Sequence, residues 1–157
     1  MRNVEWGEFI LSDLFDSSNG NVDIQKCNIN GRGDFVITAG LSEAGVLGKT
    51  DINAKIFNDK TITVDMFGFV FYRSFQYKMV THARVFSLKP RFEISDHQGL
   101  FLVNSLNFIS QKFGYNNMCT WEKIKNESIY LPIVSGEIDF EFMEKFIAEM
   151  VAERIAE

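Results

Sequence analysis

Proline and cysteine each occur only twice in the 157 residues. Pro90 and Pro132 both read as strand terminators, where a missing N–H costs no ladder bond. Cys27 and Cys119 lie far apart in the chain and give neither a metal-ligand spacing nor a disulfide framework. Histidine is equally scarce. His82 and His97 sit in no context that offers a Ser or Cys nucleophile with an orienting acid, so both read as surface or contact residues. No apolar run approaches the roughly 18–20 residues of a membrane span, and MRNVEWGEF is not a secretory signal. A cytoplasmic protein with reduced thiols and no membrane partner is expected. Residues 39–49 are glycine-rich but fit neither GxxxxGK[ST] nor GxGxxG, because Glu43 stands where the first P-loop glycine belongs. An adenosyl-methionine glycine loop and an Asn-Pro-Pro-Tyr motif are also missing. The sequence therefore predicts no catalytic residue, no metal and no cofactor of its own.

What is abundant is phenylalanine, with 16 copies, which predicts an aromatic-rich core in a chain of single-domain size. The net charge of −5 is unevenly spread. Residues 1–71 carry −4, residues 72–128 carry +4 and residues 129–157 carry −5. A basic middle between acidic flanks points to a local patch for a polyanion, although the overall charge does not.

The organising stretch is TITVDMFGFVFYRSFQYKMVTHARVF, residues 61–86. Ile62, Val64 and Met66 alternate with Thr61, Thr63 and Asp65, the period of a half-buried strand. Phe67-Gly68 breaks the run, a second apolar strand follows to Tyr72, and Val85 to Leu88 close it as a third. Earlier, Ser12 is a candidate cap for a short turn, and residues 35–38 form a strand. Asp96 opens a largely buried helix carrying Leu102, Leu106, Ile109 and Phe113, with Gly114 placed as its C-terminal glycine. Ser128 to Pro132 form a last strand. Asp139 caps a final helix with Glu141 and Glu144 at its positive end. That helix is too short for a coiled coil that stands alone, so its stripe packs either on its own domain or on a helix of another chain.

Between Arg73 and Arg84 the chain places Arg73, Gln76, Tyr77, Lys78, His82 and Arg84 with no acid among them. Arginine and lysine neutralise phosphates, arginine also forks onto guanine, and Gln or Asn pairs bidentately with adenine. Lys112, Tyr115, Asn116 and Asn117 repeat that chemistry in a polar loop, with Tyr77 and Tyr115 as stacking or wedging rings. Arg32 and Lys49, bounding the glycine-rich stretch, are a further place for DNA contact.

Several motifs resemble the target-recognition half of the specificity (S) subunits of type I and related bipartite restriction-modification systems. They are Phe9-x-Leu11-x-x-Leu14-Phe15; Phe35 to Thr38 with Gly45-Val46-Leu47-Gly48; Thr61 to Val64 through Phe71-Tyr72; Phe113-Gly114-Tyr115 through Ile129 to Pro132; and Gly136 to Phe140 with Met143-Glu144. The resemblance implies an α+β fold: a twisted, mostly antiparallel sheet with a buried helix and a C-terminal amphipathic docking helix. It implies a DNA target-recognition domain over 1–136 and the start of a conserved helical region over 137–157. Such a domain binds part of a split double-stranded target and does no chemistry. The methyltransferase (M) subunit supplies adenosyl-methionine and catalysis, and the restriction (R) subunit is a further partner. The stripe Phe142, Met143, Phe146, Ile147, Met150, Val151 and Ile155 becomes the expected partner surface. A complete S subunit has two recognition domains and two long helices, so one domain with one short helix reads as a half-subunit that pairs as a homodimer, a fragment, or a stand-alone relative. The alternative is an S-related interaction module that binds a methyltransferase or S-subunit surface without reading DNA.

Overall fold

The computed structural model describes residues 3–156. Three small sheets build the molecule. The central one has the order β2-β8-β5-β6 and is antiparallel throughout, joining β2 (Phe15–Asn19), β5 (Thr61–Val64), β6 (Val70–Arg73) and β8 (Phe86–Pro90). The hairpin β5–β6 is the one the alternation predicts, with its turn at residues 65–69. A second sheet, β4-β3-β7, joins β3 (Asp34–Ile37), β4 (Val46–Thr50) and β7 (Tyr77–Met79), with β3 and β7 parallel. The third pairs β1 (Glu5–Ile10) and β10 (Glu137–Ile138) with β9 (Ser128–Val134) between them.

The helices cover one face of the central sheet. They are α1 (Leu11–Leu14), α2 (Asp96–Leu106), α3 (Trp121–Ile124) and α4 (Phe140–Ala156). Ile62, Val64, Phe86 and Leu88 meet Leu102, Leu106, Ile109, Met143 and Ile147 there in the larger of two apolar clusters. Close approach explains the glycine inside α2: a Cβ at Gly99 would stand 2.1 Å from the Tyr72 ring. The opposite face of the sheet is not left to water. Its Thr61, Thr63 and Ser87 are all buried under the second sheet, whose own core gathers Val36, Ile37, Tyr77, Met79 and Val85. The α+β architecture is therefore the expected one, but β5 is covered on both faces rather than one.

α2 opens at Asp96 as expected, with Ser95 as its cap: the Ser95 hydroxyl accepts from the Gln98 N–H while Gln98 accepts from the Ser95 N–H, a reciprocal capping box. Three local expectations change. The α-helix ends at Leu106 and tightens into a 3₁₀ turn over Asn107–Gln111, so Gly114 terminates no helix. Pro132 lies inside β9, where its carbonyl accepts from the Asp139 N–H. Ser12 follows the start of α1, and its N–H donates to the Lys125 carbonyl. The Asp139 cap does form, its carboxylate accepting from the Phe142 N–H at 3.0 Å. No helix among the described residues is long and apolar enough to cross a membrane.

Candidate nucleic-acid interface

Strand register decides which loops share an end of the molecule. Asn19 pairs with Phe86, Phe86 with Val64, and Val64 with Val70, so all four stand in one row across the central sheet. The turn at residues 65–69 therefore emerges beside the end of β2 and the start of β8. In the second sheet β3 and β7 run parallel, and both leave toward this end. Beyond β3, the Gly40 N–H reaches the Asp65 carboxylate at 2.7 Å. Beyond β7, residues 80–85 lead into β8. The Cys119 N–H also ties in, donating to the Met66 carbonyl at 2.8 Å.

A groove of about 520 Å³ opens at this end. Ser17 and Asn19 form one wall, Thr81 and Arg84 the second, Thr120 and Trp121 the third. Arg84 is exposed, adopts left-handed backbone (φ 54°) after a turn closed by its N–H onto the Thr81 carbonyl, and has no side-chain partner among the described residues. Positive φ in a non-glycine residue is strained, and such strain gathers where a side chain has a task. Glu122, at the groove's rim, is held by Lys125 at 2.7 Å, which moderates its repulsion of an incoming anion. An unpaired guanidinium, an indole and short polar side chains together suit a sugar–phosphate backbone or a base edge.

Beside the groove, Gly114 and Asn117 exchange backbone hydrogen bonds at 3.0 and 3.2 Å and leave Tyr115 and Asn116 at the tip. Tyr115 is 75% exposed, and Asn116 is exposed with it. The loop's base is fixed by Lys112 on Glu127 at 2.7 Å and by Lys123 donating to Asn117 Oδ1 at 2.8 Å. His82, also exposed, lies 2.5 Å from Asp23 through its Nδ1, and that hydrogen bond holds the Asp23 carboxyl below its usual value.

Half of the sequence-predicted contacts fall elsewhere. Arg73 is buried, its Nε donating to Thr63 Oγ1 at 3.0 Å and its guanidinium resting over the Phe71 ring, and burial lowers it to about 10. Tyr77 is fully buried, its hydroxyl 2.7 Å from both Thr61 Oγ1 and Ser87 Oγ. Burial raises its pKa as well. Lys78 is buried too, donating to the Thr50 and Ile52 carbonyls at 3.1 and 2.6 Å. These three tie the second sheet to its neighbours, and none presents its side chain to solvent. Arg32, Lys49 and Gln76 belong to the far end, because Phe35 pairs with both Lys49 and Tyr77 at the start of β3. Arg32 sits 3.6 Å from Asp51, and Lys49 covers the Phe35 ring. What remains together is Arg84, His82, Lys112, Tyr115, Asn116 and Asn117. Asn19, Thr81 and Trp121 join them unforeseen.

The α4 stripe also divides. Met143 and Ile147 are buried in the domain's own core. Phe142 is half-buried, stacked on Phe146 and edge-on to Phe101 and Trp6. Phe146, Met150, Val151 and Ile155 are exposed, and Phe146 borders a groove of about 780 Å³ with Val4, Val134 and Lys145. Among the described residues no cluster of His, Cys, Asp or Glu could hold a metal.

A family model described as the type I restriction modification DNA specificity domain matches residues 3–157. The chain belongs to that family. The S subunit of the type I restriction-modification system of M. genitalium superposes with a TM-score of 0.63 at 12% identity, over 96% of this chain and 40% of that one. The HsdS subunit of Thermoanaerobacter tengcongensis gives 0.63 at 14% identity, over 96% and 38%. A chain from a structure of type I R-M complex assembly and conformational transition gives 0.63 at 14%, over 96% and 39%. These likenesses establish a shared fold, and the chain spans about two fifths of each of those proteins. A comparison with curated proteins returned no match.

Proposed function

We propose that this domain reads part of a double-stranded DNA target and does no chemistry itself, serving as a specificity component for a separate methyltransferase and endonuclease. The observation that carries this reading is the unpaired Arg84 in the groove with Trp121, at the sheet end where the Tyr115 loop also emerges. Family membership supplies the context of a DNA specificity domain. The arrangement offers one cation, Arg84, for backbone or guanine contact and the exposed amides of Asn19 and Asn116 for adenine, set beside aromatic rings.

The exposed part of α4 has a separate task in this reading. Phe146, Met150, Val151 and Ile155 meet an apolar helix of another chain, either a methyltransferase subunit or a second copy, while Met143 and Ile147 anchor α4 to residues 1–136. Ser95 and His97, at the N-terminal end of α2, hold Glu144 of α4, whereas the turn at residues 65–69 meets Ile109 beyond the other end of α2. Both surfaces are then usable at once.

The test is selection from random duplexes by this chain assembled with a methyltransferase subunit of such a system. Recovery of a defined sequence supports the reading. Assembly without any duplex preference favours the interaction module that does not read DNA.

A further inference from the structure

Asp65 is a carboxylate only 3% exposed. Its use is in its oxygens. Oδ2 accepts from the Gly40 N–H at 2.7 Å, and Oδ1 accepts from the Phe67 and Phe69 N–H groups at 2.9 and 3.0 Å. One buried carboxylate thus fixes both the turn at residues 65–69 and the loop at 39–45. Gly68 completes the turn with φ 80°, so close to α2's 3₁₀ extension that a Cβ would lie 2.9 Å from the Ile109 carbonyl oxygen.

Two large side chains stand out from this fixed base. Leu41, in the loop Asp65 holds, is 63% exposed, and it lines a shallow groove with Gly68, Phe69 and Phe71. Two residues later the loop is strained, with Glu43 and Ala44 both at positive φ (52° and 54°). On the other flank, Tyr115 leans edge-on against Phe67 at 5.0 Å, with most of its ring in water. Water opposes both exposures, and the strained backbone adds to their cost. A rigid base, backbone strain and two exposed tips flanking one turn, at the end that carries Arg84, form one device.

We infer that Leu41 and Tyr115 are wedges that press into the base stack of a bound duplex, with Asp65 as the residue that positions them. The inference rests on the DNA-reading function proposed above. Apolar side chains inserted at a base step part the stack and bend the helix, and the energy of parting depends on the step. Selectivity would then arise at a step where no hydrogen bond is made.

The test compares an intact 30-bp duplex with the same duplex nicked at its centre, in low salt, so that no target sequence need be known. A nick removes part of the unstacking cost, so the wild-type chain should bind it tighter by about fivefold or more. Tyr115→Ala and Leu41→Ala should each shrink that ratio toward one, and Tyr115→Phe should keep it. Asp65→Asn should shrink it even where circular dichroism shows a folded domain; if that variant does not fold, the tip variants decide. Equal binding of both duplexes by the wild type overturns the wedge and leaves DNA reading intact. So does an unchanged ratio in both tip variants, or a loss confined to methyltransferase association. Failure to bind any duplex overturns the DNA-reading function itself.

Discussion

Arg73 donates from Nε to Thr63 Oγ1 at 3.0 Å, across neighbouring strands of one sheet and beneath another. Its neighbour in the interlayer, Tyr77, bridges Thr61 and Ser87 in the same way. The most basic stretch of the sequence is thus partly a fastening between two layers, and the fastening has measurable consequences.

Tyr77→Phe keeps the ring and removes a hydroxyl with two buried partners. At roughly 0.5–1.5 kcal/mol per hydrogen bond, the loss should be about 1–3 kcal/mol in denaturant unfolding. Duplex affinity of the folded variant should not change. A large loss of affinity with stability intact would place Tyr77 in the DNA contact after all.

The two thiols should separate cleanly. Cys27 is exposed, whereas Cys119 is buried and burial pushes its thiol up to about 12. The thiolate is the reactive form, so near pH 8 a maleimide or aromatic disulfide should label one cysteine per folded chain and two after unfolding. Rapid labelling of Cys119 in the folded state would mean that the Met66–Cys119 tie is open.

Glu144 links the helices: it accepts from the Ser95 hydroxyl and lies 3.1 Å from His97 Nδ1. The Ser95 hydrogen bond, followed by His97, lowers its pKa from the usual 4.5. A depressed carboxylate contributes stability above its unfolded value, and that contribution fades as pH falls through the lower folded value. Acidification below about pH 4.5 should therefore destabilise the wild type more steeply than Glu144→Gln. Parallel pH profiles in urea melts would remove Glu144 from the account.

On α4, burial separates neighbours in sequence. Met143→Asp places a charge in the core and should unfold the domain, at a cost above about 3 kcal/mol. Phe146→Asp, on a side chain 44% exposed, should stay folded and lose association with a partner helix. Sedimentation with and without a methyltransferase subunit reads both. Unfolding of both variants alike would make the whole stripe core.

The strands around Thr61 were legible because alternation is local: a period of two survives whatever lies opposite. What covers the polar face was not, since Thr61, Thr63 and Ser87 look like solvent-facing residues until Tyr77 and Arg73 arrive from elsewhere in the chain. Counting cations located the basic middle but not the direction of each side chain. Arg73 and Lys78 turned inward onto hydroxyl and carbonyl oxygens, while Arg84, on a strained turn, turned out. In the same way the heptad-like spacing of α4 marked seven apolar residues without separating Met143 and Ile147, which face α2 and β9, from those that face away. Asn19, Thr81 and Asp65 carry no motif at all. They matter because strand register sets them side by side.

The central claim is that DNA meets the end of the sheet bearing Arg84, and not the end bearing Arg32 and Lys49. The most direct measurement is duplex affinity across a series of salt concentrations for Arg84→Ala and for the double variant Arg32→Ala/Lys49→Ala. Loss of one phosphate contact should make the slope of log K against log salt shallower by about 0.9. If Arg84 instead forks onto a guanine, affinity for the preferred site should fall by about 1–3 kcal/mol, with little change on random DNA. The account predicts one of these two signatures for Arg84→Ala and wild-type behaviour for the double variant. A weaker, shallower-sloped double variant beside an unaltered Arg84→Ala would contradict it and move the interface to the opposite end.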